Sequence, residues 1–315
     1  MRKTCINMVH ELAEKDKKVV FVGSDLSPGL LSKMKEQFGN RHYMEGIAEA
    51  NVIGMAAGMA MEGFKPYVNT IATFITRRCY EQVAVDLCLH NLPVRLIGNG
   101  GGYVYAPLGP THQAIEDIAI MRALPNMTVT AVCDADEMER LMKATLDWPN
   151  PIYIRLGKGG DPIISRDELG FKIGKAINLH PSKNEESDVL IISTGVATTQ
   201  ALEAAKQLEK VGVDVNLLHI HTIKPLDEEA ILTATKNTRK IITVEEHSLI
   251  GGLGSAVIEL LIDKFEGKLP SIKRLGISDK FSEHYGSQLE LMKHVGIAAQ
   301  NIVDAVLKDK KRKAA

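Results

Sequence analysis

The chain is predicted to be an α/β protein with mostly parallel sheets, arranged in two units. Apolar periodicity switches repeatedly between short continuous runs and helical stripes, the pattern of strands linked by crossover helices. The rhythm breaks once, between Lys158 and about Ser187, where Gly159-Gly160, Asp161-Pro162, Pro181-Ser182 and mixed charge have the composition of a linker. With 315 residues, 45% of them hydrophobic, the chain has length for roughly two domains, each able to bury a core. The expected division is 1–165, a linker at 166–185, and 186–315.

In the first unit a helical stripe at 5–13 precedes the β-branched run Val19-Val20-Phe21-Val22. Helices at 30–37, 49–61 and 78–89 then alternate with apolar strand runs at 66–68 and 94–97. A helix at 115–123, a strand at 129–132, a helix at 135–146 and a strand at 152–155 complete it. The second unit opens with Val189-Leu190-Ile191-Ile192, which ends in Ser193-Thr194-Gly195 and feeds a helix at 198–211. Strands at 213–218 and 240–244 follow, then Gly251-Gly252-Leu253-Gly254 and a helix at 255–264. That glycine turn is not Gly-x-Gly-x-x-Gly and has no acidic residue at ribose distance, so it reads as a tight strand-to-helix connection rather than a dinucleotide site.

Composition excludes several functions. A formal net charge of -1 with 24% charged residues is not that of a chain that grips nucleic acid through phosphates. The longest small-apolar run is interrupted by Glu49 and Asn51, and the N-terminus lacks a signal-peptide core, so neither a membrane nor secretion is expected and the location reads as cytoplasmic. Cys5, Cys79, Cys88 and Cys133 show no zinc spacing and read as reduced and buried. The basic tail at 308–313 reads as a solvated helix end.

The most informative stretch is Gly46-Ile47-Ala48-Glu49-Ala50-Asn51, running into Val52-Ile53-Gly54-Met55-Ala56-Ala57-Gly58. It sets one carboxylate at the head of a close-packed, otherwise uncharged helix. A buried carboxylate is costly unless something pairs with it or shares its proton, so Glu49 is a candidate for a chemical task. A helix-start glutamate favoured by the helix dipole is the plain alternative.

Four motifs decide between them. Gly23-Ser24-Asp25-Leu26-Ser27, the Glu49 stretch, Thr73-Phe74 with Arg77-Arg78-Cys79-Tyr80-Glu81-Gln82, and Gly109-Pro110-Thr111-His112-Gln113 occur in order, and His247-Ser248-Leu249-Ile250-Gly251-Gly252-Leu253-Gly254 follows. In order and spacing the chain resembles the transketolase family over nearly all its length. The resemblance implies a three-layer αβα pyrimidine-binding domain for thiamin diphosphate followed by a smaller α/β C-terminal domain. The Gly-Asp-Gly motif with which full-length members hold magnesium and diphosphate is not found. A split enzyme is therefore implied: this chain as the pyrimidine subunit, a partner subunit carrying the diphosphate-binding domain, two copies of each, and active sites at their contacts. The implied reaction is transfer of a two-carbon ketol unit from a ketose to an aldose. A deoxyxylulose-phosphate synthase-like enzyme, a 2-oxo acid dehydrogenase beta subunit and a non-catalytic scaffold are the alternatives.

The resemblance also assigns residues. Glu49 matches the glutamate that hydrogen-bonds a ring nitrogen of the aminopyrimidine and stabilises its imino tautomer, which takes the thiazolium proton. Phe74 is the face for pyrimidine stacking. Asp25 lies near cofactor and subunit contact, and either Arg77 or Arg78 faces the site, since each fits one of two spacings. His112 is a substrate contact able to handle protons on a sugar hydroxyl or carbonyl. Arg155 and Lys158, at the carboxyl end of the last strand of the first unit, are placed to hold a sugar phosphate or another anion. His219 and His221 read as structural. Where many members carry an acidic pair and an upstream histidine, this chain has Pro107-Leu108 and Gly100-Gly101-Gly102, which implies sugars other than the ordinary pentose phosphates.

Overall fold

The computed structural model describes every residue except Asp25, Ser27, Pro28, Leu30, Ala314 and Ala315, and only the backbone of 309–313. The chain begins with α1 (Arg2–Lys15), β1 (Val19–Gly23), α2 (Ser32–Gln37), β2 (His42–Met44), α3 (Glu49–Met61) and β3 (Lys65–Ile71). Two π-wound segments, Phe74–Arg78 and Val83–Leu89, flank the short α4 (Tyr80–Gln82) and lead to β4 (Arg95–Asn99). Next come α5 (Asp117–Ala123), β5 (Thr128–Ala131), α6 (Ala135–Thr145) and β6 (Ile152–Leu156). The second unit runs β7 (Ile177–His180), β8 (Val189–Ser193), α7 (Ala197–Lys210), β9 (Val215–His219), β10 (Thr222–Lys224) and α8 (Glu228–Lys236). It ends with β11 (Lys240–Ser248), α9 (Leu253–Lys264), β12 (Ser271–Ile277), α10 (Gln288–His294) and α11 (Ala299–Lys313).

The strands form a seven-stranded sheet in the order β10-β5-β6-β4-β3-β1-β2 and a five-stranded sheet in the order β12-β11-β8-β9-β7. Both are parallel except at one edge each, where β10 runs antiparallel to β5 and β7 antiparallel to β9. The α/β class and mostly parallel pairing expected from periodicity are what the chain adopts. Helices cover both faces of the first sheet, so its central strands are buried throughout and read as unbroken apolar runs. Helix α3 lays Val52, Ile53, Ala56, Ala57 and Ala60 on the sheet, where the small side chains allow a close approach. Its other face, with Ala50, Asn51, Gly54 and Gly58, is exposed and uncharged.

Of the segments that the sequence reading did not foresee, two sit at sheet edges. Part of the expected linker, Ile177–His180, is an edge strand, and Thr222–Lys224 leaves the second unit to join the first sheet. Both are short and polar on alternate residues, so neither carries the apolar signal of a central strand. All four cysteines are free and buried. Among the described residues no helix is long and apolar enough to cross a membrane.

A polar seam joins the units. His219 bonds Glu137 across it at 2.9 Å and Thr198 at 2.8 Å, and His221 stacks on Phe171 at 4.3 Å between ring centres. Burial pushes the His221 imidazole down to about 4; burial would raise Glu137, but His219 beside it holds that carboxyl at about 2. Nearby, the buried Glu246 accepts the Tyr103 N–H at 2.9 Å and the Gln288 amide at 3.0 and 2.9 Å. Burial pushes its carboxyl up to about 7, against the opposing pull of Arg155.

Because Glu246 holds a proton more tightly in the folded chain than in the unfolded one, its contribution to stability is full below about pH 4.5. That contribution is lost as pH rises through about 7. Thermal unfolding of the chain followed from pH 5 to 8 is expected to show a midpoint that falls across this window, and Glu246→Gln is expected to flatten the fall. An unchanged slope in the variant would contradict this placement of the charge.

Candidate functional site at the sheet switch point

After β1 the chain steps sideways to β2, then returns to the other side of β1 for β3, so strand order reverses between β1 and β3. In open parallel sheets the crevice outside the carboxyl ends of strands at such a point is where ligands bind. Three side chains meet there. Ser24, just beyond β1, donates to the Thr70 hydroxyl at 3.1 Å, and Thr70, near the end of β3, donates weakly to Glu49 Oε1 at 3.4 Å. Glu49, the first residue of α3, is 3% exposed. The helix starts without a side-chain cap, so this carboxylate also complements the positive helix end.

The other carboxylate oxygen, Oε2, accepts Arg78 Nη1 at 2.8 Å. The same guanidinium lies over the Phe74 ring, 4.3 Å from its centroid, and the His112 ring meets Phe74 edge-on at 5.3 Å. Thr111 bonds His112 Nδ1 at 2.9 Å. The wide π turns of Phe74–Arg78 bring Phe74 and Arg78, four apart, to one side, a winding often found at functional sites. Glu49, Arg78, Phe74 and His112 thus form one chain of contacts, although they come from three separate stretches of sequence.

Arg77 turns the other way. It pairs with both oxygens of Glu116 and donates to the Gln113 carbonyl at 3.1 Å; the bond to Glu116 raises its pKa. The choice between the two arginines that spacing left open therefore falls, by contact with Glu49 and Phe74, on Arg78. Asp25 lies outside the described residues.

Arg155, expected to meet an anion, points inward. It is 5% exposed, bonds both oxygens of Asp117 at 2.8 and 3.2 Å, and donates to the carbonyls of Ala114 and Glu246 at 3.0 and 2.9 Å. Its Nε and Nη2 donors are thus committed within the protein, which makes Arg155 an internal strut. Lys158 is exposed and lines a cavity of about 760 Å³ between the two units.

The glycine run Gly100–Gly102 has a packing cause. Gly101 and Gly102 lie so close to Arg155 and Glu246 that a Cβ would come within 2.6 and 2.4 Å of them, and Gly102 also has a φ of +62°. At the other glycine turn, the N–H groups of Leu253 and Gly254 donate to Glu245 at 2.7 and 2.8 Å. The start of α9 is filled by the chain's own carboxylate, in keeping with a connection rather than a phosphate cradle.

The residues read from sequence did not include Gln113, although it closes the Gly-Pro-Thr-His-Gln motif. It is 1% exposed, yet neither atom of its amide has a hydrogen-bond partner among the described residues, and the same holds for the hydroxyl of buried Thr73, next to Phe74. Burial was the missing signal: a glutamine in a loop reads as solvated until its neighbours are known.

Two α/β units, with a buried carboxylate, an aromatic ring and an imidazole gathered at a switch point, define the class of the protein: an α/β chain whose candidate site lies at the carboxyl ends of a parallel sheet. Comparison with known proteins agrees. Residues 1–160 match the transketolase pyrimidine binding domain and residues 181–302 the transketolase C-terminal domain. The chain is 35% identical over 308 residues to an apulose-4-phosphate transketolase subunit of Phocaeicola vulgatus, covering 97% of this chain and 96% of that one. It is 34% identical over 314 residues to a 6-deoxy-6-sulfo-D-fructose transketolase subunit of Clostridium sp., covering 99% and 95%. A solved chain described as a split gene transketolase, inactive beta4 tetramer, superposes with a TM-score of 0.88 at 35% identity, over 98% of this chain and 97% of that one. The chain belongs to the transketolase family.

An unpaired buried amide lowers stability, by roughly 1–3 kcal/mol per orphaned group. Gln113→Met, which keeps length and removes the amide, is therefore expected to leave the isolated chain at least as stable in urea denaturation. A clear loss of stability would show that the amide is satisfied.

Proposed function

We propose that this chain is the pyrimidine-side subunit of a two-polypeptide transketolase, which moves a two-carbon ketol unit from a ketose to an aldose with thiamin diphosphate and magnesium. The observation that carries this reading is what Arg78 does at Glu49. Its planar guanidinium stacks on Phe74 and donates an N–H into a buried carboxylate. Those are the two contacts that an aminopyrimidine requires. The Arg78 side chain is 45% exposed, so its pairing is solvent-screened and its displacement by a ring costs little. The residues therefore fit the pyrimidine end of the cofactor, with Glu49 and Phe74 holding it, Arg78 shifting to its rim and Arg77 beside them.

The diphosphate end finds no such fit among the described residues. The start of α9 is occupied by Glu245, and the Gly100–Gly102 run packs against Tyr105, Arg155 and Glu246. Magnesium and diphosphate are thus assigned to a second polypeptide. The uncharged exposed face of α3, with Ile47 71% exposed just before Glu49, supports subunit contacts around the site. The tetrameric solved relative supports self-association, and the naming of the other relative as one subunit of a transketolase supports a partner; the assembly proposed has two copies of each.

When bound, the cofactor supplies a nucleophilic carbon whose proton must be removed near neutral pH. Glu49 shares a proton with the pyrimidine ring, and the Thr70 and Ser24 hydroxyls steady its second oxygen. His112, beside Phe74, holds or moves a proton at a sugar hydroxyl or carbonyl; with Thr111 on Nδ1, Nε2 is left to face the substrate. The named sugars of the two relatives are a phosphate and a sulfo-sugar, which supports an anionic substrate.

Glutamine at position 49 keeps a hydrogen bond and loses proton exchange. With the chain paired to its partner subunit, Glu49→Gln is expected to lower kcat by at least ~100-fold, while circular dichroism and melting temperature stay near those of the parent. Near-normal turnover in the assembled variant would remove Glu49 from the chemistry.

A further inference from the structure

Where the two units meet, the side chains of Cys133, Glu137 and His219 converge. The thiol sulfur, a carboxylate oxygen and a ring nitrogen all lie within 4.8 Å of one another, and each of the three residues is 0% exposed. Sequence spacing carries no sign of this set because it is divided between the units. Cys133 follows β5, Glu137 is in the first turn of α6, and His219 ends β9. The backbones that carry them are pinned together. Ala131 donates to the His221 carbonyl at 2.9 Å and accepts the Gly195 N–H at 2.9 Å, while Asp134 caps α6 through the Glu137 N–H.

Hydrogen bonds leave this cluster incomplete. Glu137 Oε2 accepts the Cys133 N–H at 2.7 Å and bonds His219 Nε2 at 2.9 Å, whereas Oε1 is sealed from solvent with no hydrogen-bond partner among the described residues. A carboxylate oxygen left so is costly. The Cys133 thiol reaches only Asp134 Oδ2, at 3.6 Å. The other ring nitrogen of His219 is held by the Thr198 hydroxyl at 2.8 Å, and Ser193 donates to that hydroxyl at 3.0 Å. An outer bond of this kind orients the ring of a metal-bound histidine.

A divalent cation would complete the set. With Cys133 as thiolate, Glu137 ionised and His219 neutral, two anions and one dication sum to zero, so no net charge is buried. One sulfur, one nitrogen and the two oxygens of Glu137 make four donors, a mixture that suits zinc and not magnesium or calcium. At bond lengths of about 2.0–2.3 Å, donors from different residues around a tetrahedral zinc lie about 3.3–3.8 Å apart, so each separation here changes by about 1 Å or less. The cluster needs no open mouth. Structural zinc sites are closed and take their ion as the chain folds, and these ligands come together only when the units dock.

We propose that Cys133, Glu137 and His219 hold one structural zinc ion that staples the first unit to the second. The ion is distinct from the cofactor's magnesium and shares no residue with the candidate site, so the proposal stands whether or not the transferase reading does.

The test uses the full chain, expressed with zinc or with cobalt in the medium and then desalted. Elemental analysis is expected to find about one zinc per chain, and the cobalt form to show the sulfur-to-cobalt charge-transfer band and the strong visible bands of a four-coordinate ion. Cys133→Ser is expected to abolish the charge-transfer band, and His219→Gln to weaken zinc binding by at least ~100-fold, both with the circular dichroism of the parent. Thr198→Val, which keeps all three ligands, is expected to weaken it by ~10- to 100-fold and serves if His219→Gln does not fold. Chelation is expected to lower the melting temperature of the parent and to leave that of Cys133→Ser unmoved. A parent chain that retains no zinc, or a cobalt form without the charge-transfer band, would overturn the proposal. Equal zinc retention by the parent, Cys133→Ser and Thr198→Val would also overturn it, because the ion would then lie elsewhere.

Discussion

The buried pair between Arg155 and Asp117 holds the molecule's working parts in register. Asp117 is fully buried, and burial alone would raise its pKa, yet the Arg155 charge beside it holds it below the usual carboxylate range. The Tyr153 hydroxyl completes its shell at 2.7 Å. From this point Arg155 reaches the Ala114 carbonyl in the His112 loop and the Glu246 carbonyl in β11 of the second unit. One side chain thereby ties the first sheet, the loop that carries His112 and the second sheet together. Removing either partner would leave an uncompensated charge in the interior, a loss on the order of 3–5 kcal/mol.

Arg77 grips the same loop from the opposite side, through Glu116 and the Gln113 carbonyl. The His112 loop is therefore clamped twice, and both clamps are arginines that spend their donors on carboxylates and carbonyls. This explains why two arginines near the site do not face it while Arg78 does. A guanidinium with rigid, planar donors suits such positions better than an ammonium would.

Much of the fold was legible because buried parallel strands write themselves as unbroken apolar runs, as in Val19–Gly23, Ile152–Leu156 and Val189–Ser193. Edge strands carry no such mark. His42–Met44 is only partly buried and Thr222–Lys224 is three residues long, anchored by Lys224 reaching the Arg122 and Leu124 carbonyls, so both were silent in sequence. Residue type singled out Glu49, Phe74 and His112, and the fold brings these three into one chain of contacts through Arg78. Residue type is silent where the deciding fact is burial. Arg155 in sequence is a free cation at a strand's carboxyl end, and only the fold supplies Asp117 beneath it. His219 and His221 were read as structural, and the fold adds that they sit in the seam between the units, with Glu137 and Phe171 against them.

The central claim is that Glu49 belongs to half a site, whose other half lies on another polypeptide. Calorimetric titration of thiamin diphosphate with magnesium into this chain alone, the partner subunit alone and their equimolar mixture tests it most directly. The account predicts saturable binding and ketol transfer only in the mixture. Binding and turnover by this chain alone would contradict it.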